Sequence, residues 1–209
     1  MPYPEGHMLK VRGKIIQSAA EAFRTNGIRD ISVPVIMKGA GLTHGGFYSH
    51  FANKEQLVAE ACRYAINDTI ELLQKAAHQE QQDQQEQQEQ QEQQEPKVYA
   101  IIDYYLSPYH RDNPEMGCIL PALSSEISRS SDEVRQVFTH ELERMIEFIS
   151  NAAKLDPATG SVLLSSMVGT LVLARSVNDS KLSDSLLAAG KQHAKGFIIG
   201  SHSESRCYI

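Results

Sequence analysis

The chain has 209 residues, of which 41% are hydrophobic and 22% charged, the proportions of a folded domain rather than a disordered chain. Its formal net charge of −6 by itself argues against a nucleic-acid partner. Three scattered cysteines without CxxC spacing argue against a disulfide framework and indicate a reduced, cytoplasmic setting. No apolar run or N-terminal pattern predicts a membrane span or a signal peptide, so no membrane partner is expected.

Three helical patterns follow one another in the N-terminal quarter of the chain. Apolar residues recur at helical spacing over 9–23, and Asn26-Gly27 marks the end of that pattern. Ser32 is a suitable N-cap for a second helix, which Gly41 ends. A very short third helix is predicted over 43–49. This order of helix, turn and short helix is the spacing of a helix-turn-helix.

The same N-terminal segment is basic, although the whole chain is acidic. Residues 10–54 contain seven Lys or Arg and two acids, a net charge of +5. Residues 55–209 contain 13 Lys or Arg and 23 acids, a net charge of −10, and Glu5 completes the total. Opposite signs in the two parts indicate a basic binding module attached to an acidic body.

A linking helix and a low-complexity segment come next. Residues 54–77 continue the helical pattern after Asn53, which is a good N-cap. Residues 79–95 consist of eleven Gln and six acids, with an acid at every third position. Nothing in this segment can enter a core, so we expect a solvated spacer that can extend the preceding helix as far as Pro96.

The C-terminal half, residues 97–200, is also helical in pattern and is expected to form one domain. Its helical patterns cover residues 98–106, 119–128, 132–153, 157–177 and 180–199. A loop rich in turn residues is predicted at 107–117. No segment shows sustained two-residue alternation, so the fold class is all-α with about nine helices.

The segment GLTHGGFYSHFANKEQL, residues 41–57, resembles the DNA-binding domain of TetR/AcrR-family transcriptional repressors. The matching features are the aromatic pair Phe47 and Tyr48, then His50 and Phe51, and the Lys-Glu start of the next helix at 54–55. The resemblance implies a three-helix DNA-binding domain over 9–53, followed by a helical domain for effector binding and dimerisation.

By position, the resemblance also implies the DNA contacts. Thr43 would cap the recognition helix and touch a phosphate, and the following three residues would face the groove. The implied DNA-binding residues are Lys38, Thr43, His44, Gly45, Gly46, Tyr48, His50 and Lys54. Many family members have Lys or Arg at 44 and a hydroxyl at 46, so DNA shape and phosphate contacts are expected to carry more of the recognition here.

The body is expected to hold a dimer interface and an effector pocket. One recognition helix reads few base pairs, so a homodimer on a palindromic double-stranded operator is predicted. The last two helical patterns, over 157–177 and 180–199, are the predicted dimer interface. For the residues of the 157–177 pattern, packing inside one chain is the alternative. The predicted interface residues are Leu164, Val168, Leu171, Leu182, Leu186, Ala189, His193 and Phe197. Aromatic and Met residues are the pocket candidates, again with core packing as the alternative: Tyr104, Tyr105, Met116, Cys118, Met145, Phe148 and Met167.

The predicted function is that of a ligand-responsive repressor released from DNA by a small-molecule effector, acting in the bacterial cytoplasm at the nucleoid. A thiol-based redox or electrophile sensor using Cys118 and a helical protein that does not bind DNA are the alternatives. No hydrolase, metalloprotease, P-loop or dinucleotide motif is present, so no enzyme activity, cofactor or metal is expected.

Overall fold

The computed structural model describes residues 5–87 and 97–204, and this part of the chain forms nine α-helices and two 3₁₀ helices without a β-strand. The α-helices are α1 (Glu5–Asn26), α2 (Val33–Gly39), α3 (Lys54–Gln87), α4 (Lys97–Tyr105), α5 (Pro108–Asp112), α6 (Leu120–Ile127), α7 (Asp132–Ala153), α8 (Pro157–Ser176) and α9 (Ser180–Glu204). The 3₁₀ helices are His44–Ser49 and Pro114–Met116. The predicted all-α class is confirmed.

Two elements differ in kind from their sequence patterns. The predicted recognition helix, His44–Ser49, is a 3₁₀ helix of six residues. The predicted loop at 107–117 contains α5, because the Ser107 side chain accepts the N–H of His110 at 3.0 Å and Pro108 occupies the first turn. In the low-complexity spacer the backbone stays helical to Gln87, and residues 88–95 lie outside the described residues.

The chain divides into two compact units. The first comprises Met1–Asp68 and Pro114–Leu142, so residues 114–142 pack with the N-terminal helices rather than with the domain predicted over 97–200. The buried Arg24 side chain explains part of this: it donates to the carbonyl of Ala65, to Asp68 at 2.9 Å and to the carbonyl of Glu115 at 3.0 Å. One guanidinium thereby joins α1, α3 and the second 3₁₀ helix.

The second unit comprises Thr69–Asn113 and Glu143–Ile209. Its core is formed by fully buried apolar side chains, among them Ile101, Ile102, Tyr105, Met145, Ile149, Met167 and Leu171. Helices α8 and α9 pack closely, and Gly190 lies so near Thr170 that a Cβ there would be 2.5 Å from the methyl of Thr170. Helix α8 is long and apolar enough to cross a membrane by length and composition, a test that core helices also pass, and a third of its most apolar window is buried.

Candidate nucleic-acid interface

Helix α2 and the first 3₁₀ helix are joined by a tight turn. Gly41 adopts a φ of +72°, a left-handed conformation that favours glycine. The turn closes through hydrogen bonds from the Gly41 N–H to the Lys38 carbonyl at 3.0 Å and from the Leu42 N–H to the Met37 carbonyl at 2.8 Å. Across α2, the Ser18 hydroxyl of α1 donates to the Ile36 carbonyl at 3.0 Å. The first two helices therefore hold the start of the 3₁₀ helix in place.

Two aromatic side chains anchor the 3₁₀ helix to the core. Phe47 and Phe51 are 1% and 2% exposed, and their rings stack with centroids 5.5 Å apart. The Arg12 guanidinium lies 4.3 Å from the centre of the Phe51 ring and also forms a bidentate ion pair with Glu60. The two buried rings thus hold the apolar side of the segment in the core of the first unit, and its other side faces solvent.

The outward side carries most of the predicted DNA-binding residues. Thr43, His44, Gly45 and Lys38 are exposed, and Tyr48 is 69% exposed, its ring lying edge-on to His44 at 6.3 Å. Thr43 has the extended backbone of an N-cap and its carbonyl accepts the Gly46 N–H at 3.2 Å, but its hydroxyl makes no capping bond. The hydroxyl therefore stays on the surface, where a phosphate can accept from it.

His50 is half-buried at the end of this segment. Loss of hydration lowers the pKa of its imidazole below the usual 6.5, and the nearby positive charge of Arg12 lowers that pKa further. Both effects favour the neutral form of the imidazole.

Lys54 lies at the start of α3, and its side chain is partly buried. Its ammonium donates to the carbonyls of Ile28, at 2.5 Å, and Ile31, both in the loop between α1 and α2. Burial lowers the pKa of this ammonium, and the Glu126 carboxylate offsets part of that effect. Two of its three N–H groups are used within the protein.

Three residues outside the predicted set share the exposed surface of the first unit. Lys10 and Lys14 are exposed cations one turn apart on α1, and Val35 on α2 is 52% exposed. The sequence signal for the two lysines is their i, i+4 spacing within the predicted helix over 9–23 and the basic segment.

The predicted effector-pocket residues fall in both units and differ in burial. Tyr105, Cys118, Met145 and Met167 are at most 1% exposed, which is core packing, and Met116 and Cys118 belong to the first unit whereas the other five belong to the second. A cavity of about 290 Å³ lies elsewhere in the second unit, lined by Arg111, Asp112, Ala174, Arg175, Val177, Asn178, Ser180 and Ser183. In the described part of the chain, no cluster of His, Cys, Asp or Glu can hold a metal ion.

The predicted interface residues separate into two groups. Leu164 and Leu171 are buried inside the second unit, which matches the alternative of core packing. Leu182 is 49% exposed, and the other members of the set are exposed or half-buried: Val168, Leu186, Ala189, His193 and Phe197. Val162, Leu173 and Ile199 were absent from the prediction and are 54%, 56% and 59% exposed.

An exposed short helix that follows a packed helix and a tight turn is the arrangement of a helix-turn-helix. A sequence profile described as "Bacterial regulatory proteins, tetR family" matches residues 15–61. Residues 15–61 therefore carry the N-terminal sequence pattern of the tetR family.

Curated relatives align with the N-terminal part. The chain is 40% identical over 58 residues to the HTH-type transcriptional repressor KstR2 of Mycobacterium tuberculosis, which is 28% of this chain and 29% of that protein. It is 34% identical over 71 residues to the HTH-type transcriptional regulator TtgR of Pseudomonas putida, which is 34% of this chain and 33% of that protein. The alignments thus span about a third of these relatives or less.

Solved structures match the whole fold at low sequence identity. A TetR transcriptional regulator from Chloroflexus aurantiacus has a TM-score of 0.70 at 19% identity, covering 92% of this chain and 96% of that one. The reduced form of E. coli NemR has a TM-score of 0.69 at 16% identity, covering 90% and 96%. At this identity the likeness shows the fold alone.

Proposed function

We propose that the chain is a transcriptional repressor of the bacterial cytoplasm that binds a palindromic DNA operator as a homodimer. The proposal rests above all on the outward side of the 3₁₀ helix, where Thr43, His44 and Tyr48 are exposed while Phe47 and Phe51 hold the segment in the core. Exposed cations at positions 10, 14 and 38 belong to the same unit. The aligned parts of KstR2 and TtgR, which are named as a repressor and a regulator, support this reading.

Phosphate contacts are expected to supply most of the affinity. His44 is shorter than a Lys or Arg, and the two glycines after it have no side chain with which to read bases. Hydroxyls at positions 43 and 48 and the ammonium of Lys38 suit phosphate oxygens, which position the protein without reading sequence. Specificity would then depend on groove shape and on the spacing of two half-sites.

Salt dependence of DNA binding tests this proposal. Binding of the full-length chain to labelled duplexes from the region upstream of its gene would be measured by fluorescence anisotropy from 50 to 300 mM salt. Each phosphate contact contributes about −0.9 to the slope of log affinity against log salt. Lys38→Ala should reduce the magnitude of that slope by about 1, whereas Lys75→Ala, an exposed lysine on α3, should leave it unchanged.

The result that would refute DNA binding is equally definite. A wild-type chain that binds no duplex at 50 mM salt, whether from this region or selected from random sequence, would exclude the repressor function. Equal slopes for wild type and Lys38→Ala would remove Lys38 from the interface.

The homodimer is proposed to form through α8 and α9. On α9, exposed or half-buried apolar and small residues recur along one stripe: Leu182, Leu186, Ala189, His193, Gly196 and Phe197. On α8, Val162, Gly169 and Leu173 lie on one face. A Cβ at Gly169 or Gly196 would meet nothing within 4 Å in the same chain, so neither glycine is required by packing inside one protomer. Close approach of a second copy would account for both.

Release by a small-molecule effector is the remaining part of the proposal. The 290 Å³ cavity in the second unit is near the lower limit for ligand sites. Its arginines are already engaged: Arg111 pairs with Asp112 at 2.7 Å and Asp184 at 2.6 Å, and Arg175 donates to the His110 carbonyl at 2.6 Å. A thermal-shift screen of small metabolites, repeated with operator DNA present, would identify a compound that stabilises the chain and weakens its DNA complex.

A further inference from the structure

The loop between α1 and α2 is held from two sides by side chains of opposite charge. Lys54, at the start of α3, donates to the carbonyls of Ile28 and Ile31. Glu126, on α6, accepts the N–H of Ile28 at 3.1 Å and the N–H of Arg29 at 3.0 Å, both through Oε2, with Oε1 at 3.2 Å from the Ile28 nitrogen. The ammonium thus binds the negative ends of the peptide dipoles and the carboxylate binds the positive ends.

Gly27 gives the carboxylate access to these N–H groups. This residue directly follows α1, with its N–H bonded to the Phe23 carbonyl at 2.9 Å, and has a φ of +78°. A Cβ at this position would lie 2.2 Å from Oε1 of Glu126, well inside van der Waals contact. The left-handed turn and the missing side chain together form a concavity of backbone N–H groups, a geometry that binds anions.

The loop leads directly into the DNA-reading elements. Residue 32 follows it, and its carbonyl accepts the first N–H bonds of α2, from Val35 at 3.1 Å and Ile36 at 3.2 Å. Helix α2 in turn closes the turn before the 3₁₀ helix. All of these groups lie in the first unit, so a shift of α6 within that unit changes the hydrogen bonds at the entrance to α2.

We propose that Glu126 is a positioning residue for operator binding, through which the place of α6 sets the orientation of α2 and the recognition segment. The proposal rests on the proposed function, because it assigns Glu126 a role in reading DNA. Charge-assisted hydrogen bonds to two consecutive N–H groups are short-range and directional, so a small displacement of α6 breaks them.

The test compares specific with non-specific DNA binding in the full-length chain. Glu126→Ala removes the acceptor and Glu126→Gln keeps one oxygen but removes the charge. Glu133→Gln, an exposed acid on α7, controls for the change in net charge. Val134→Ala, a buried residue of the same unit, controls for a loss of stability. Probes are a palindrome selected from random DNA by the wild-type chain and a duplex of equal length without that sequence.

The expected result separates positioning from folding. Amide exchange over 27–32 should accelerate about tenfold in Glu126→Ala, since both N–H groups lose their acceptor. Affinity for the palindrome should fall about tenfold or more and by less in Glu126→Gln, while affinity for the non-specific duplex changes less than about twofold. Val134→Ala should change both affinities by the same factor.

Three results would overturn the proposal. The first is that Glu126→Ala binds the palindrome as tightly as the wild type does. The second is that specific and non-specific affinity fall together, as in Val134→Ala, which would make Glu126 merely structural. The third is that the wild-type chain selects no DNA. This outcome refutes the proposed function itself, and it is distinguished by the failure of every variant, including Glu133→Gln, to bind DNA.

Discussion

Replacing Gly45 and Gly46 of the 3₁₀ helix His44–Ser49 by alanine should make the protein more stable and its DNA binding weaker. A Cβ at Gly45 would meet nothing within 4 Å, and one at Gly46 would lie 3.8 Å from the Met37 methyl, which is ordinary contact. Neither glycine has a positive φ. The fold therefore gives no reason for glycine at either position, although each costs about 0.5–1 kcal/mol relative to alanine inside a helix.

The magnitudes follow from these distances. Each alanine should raise the free energy of unfolding by up to about 1 kcal/mol, or a melting temperature by about 2–4 °C for a chain of this size. If DNA lies against the backbone here, an added methyl overpacks that contact at a cost of about 1–3 kcal/mol. Since each 1.4 kcal/mol is a factor of ten, operator affinity should fall by roughly five- to more than a hundredfold.

The assay combines thermal melts with anisotropy titrations on the same preparations of Gly45→Ala, Gly46→Ala and the double variant. Gly13→Ala is the matched control for stability, because a Cβ at this position of α1 also meets nothing within 4 Å. Stabilised variants that bind DNA as the wild type does would refute close approach of DNA to this backbone. Variants with a lower melting temperature than the wild type would refute the inference that a methyl group fits at positions 45 and 46.

Three further predictions concern the dimer, a histidine and a cysteine. Leu182→Glu combined with Leu173→Glu should convert the dimer to a monomer at micromolar concentration, measured by light scattering, because burying a leucine contributes about 1.5–3 kcal/mol and symmetry doubles the loss. His50 has a lowered pKa, so a DNA phosphate nearby should make its imidazole take up a proton on binding. DNA affinity should therefore rise as the pH falls from about 7.5 to 6, and this rise should be larger in the wild type than in His50→Gln. Burial raises the pKa of Cys62 to about 12, so it should resist alkylation at pH 8 until the chain unfolds, as read by peptide mass mapping.

Each of these has a control and a contrary result. Ala188→Glu, at an exposed position farther around α9 from the stripe, should leave the dimer intact, and a double leucine variant that remains dimeric would place the interface elsewhere. Equal pH dependence in wild type and His50→Gln would show that this imidazole does not meet a phosphate. Rapid alkylation of Cys62 in the folded chain would show that its surroundings open readily.

Local sequence patterns predicted much of the fold because they report local physics. Phe47 and Phe51 recur at helical spacing beside polar residues, and both are buried. The helical pattern over 157–177 predicted α8, and the Asp156 carboxylate caps this helix by accepting the N–H groups of Ala158 and Thr159. The basic residues of the segment 10–54 and the short helix His44–Ser49 within it are likewise close together in the sequence. Such signals depend on neighbours a few residues apart, which any single sequence displays.

Only the tertiary structure decided which partner each side chain meets. The apolar face of α8 was visible in the sequence, but the structure shows that Leu164 and Leu171 turn inward while Val162 and Leu173 remain exposed. Lys54 carries the same charge whether it meets a phosphate or a carbonyl, and the fold places it on the loop at residues 28–31. Glu126 bonds to that loop from nearly a hundred residues away, a pairing set by chain topology, because periodicity along one helix carries no information about the distant backbone packed against it.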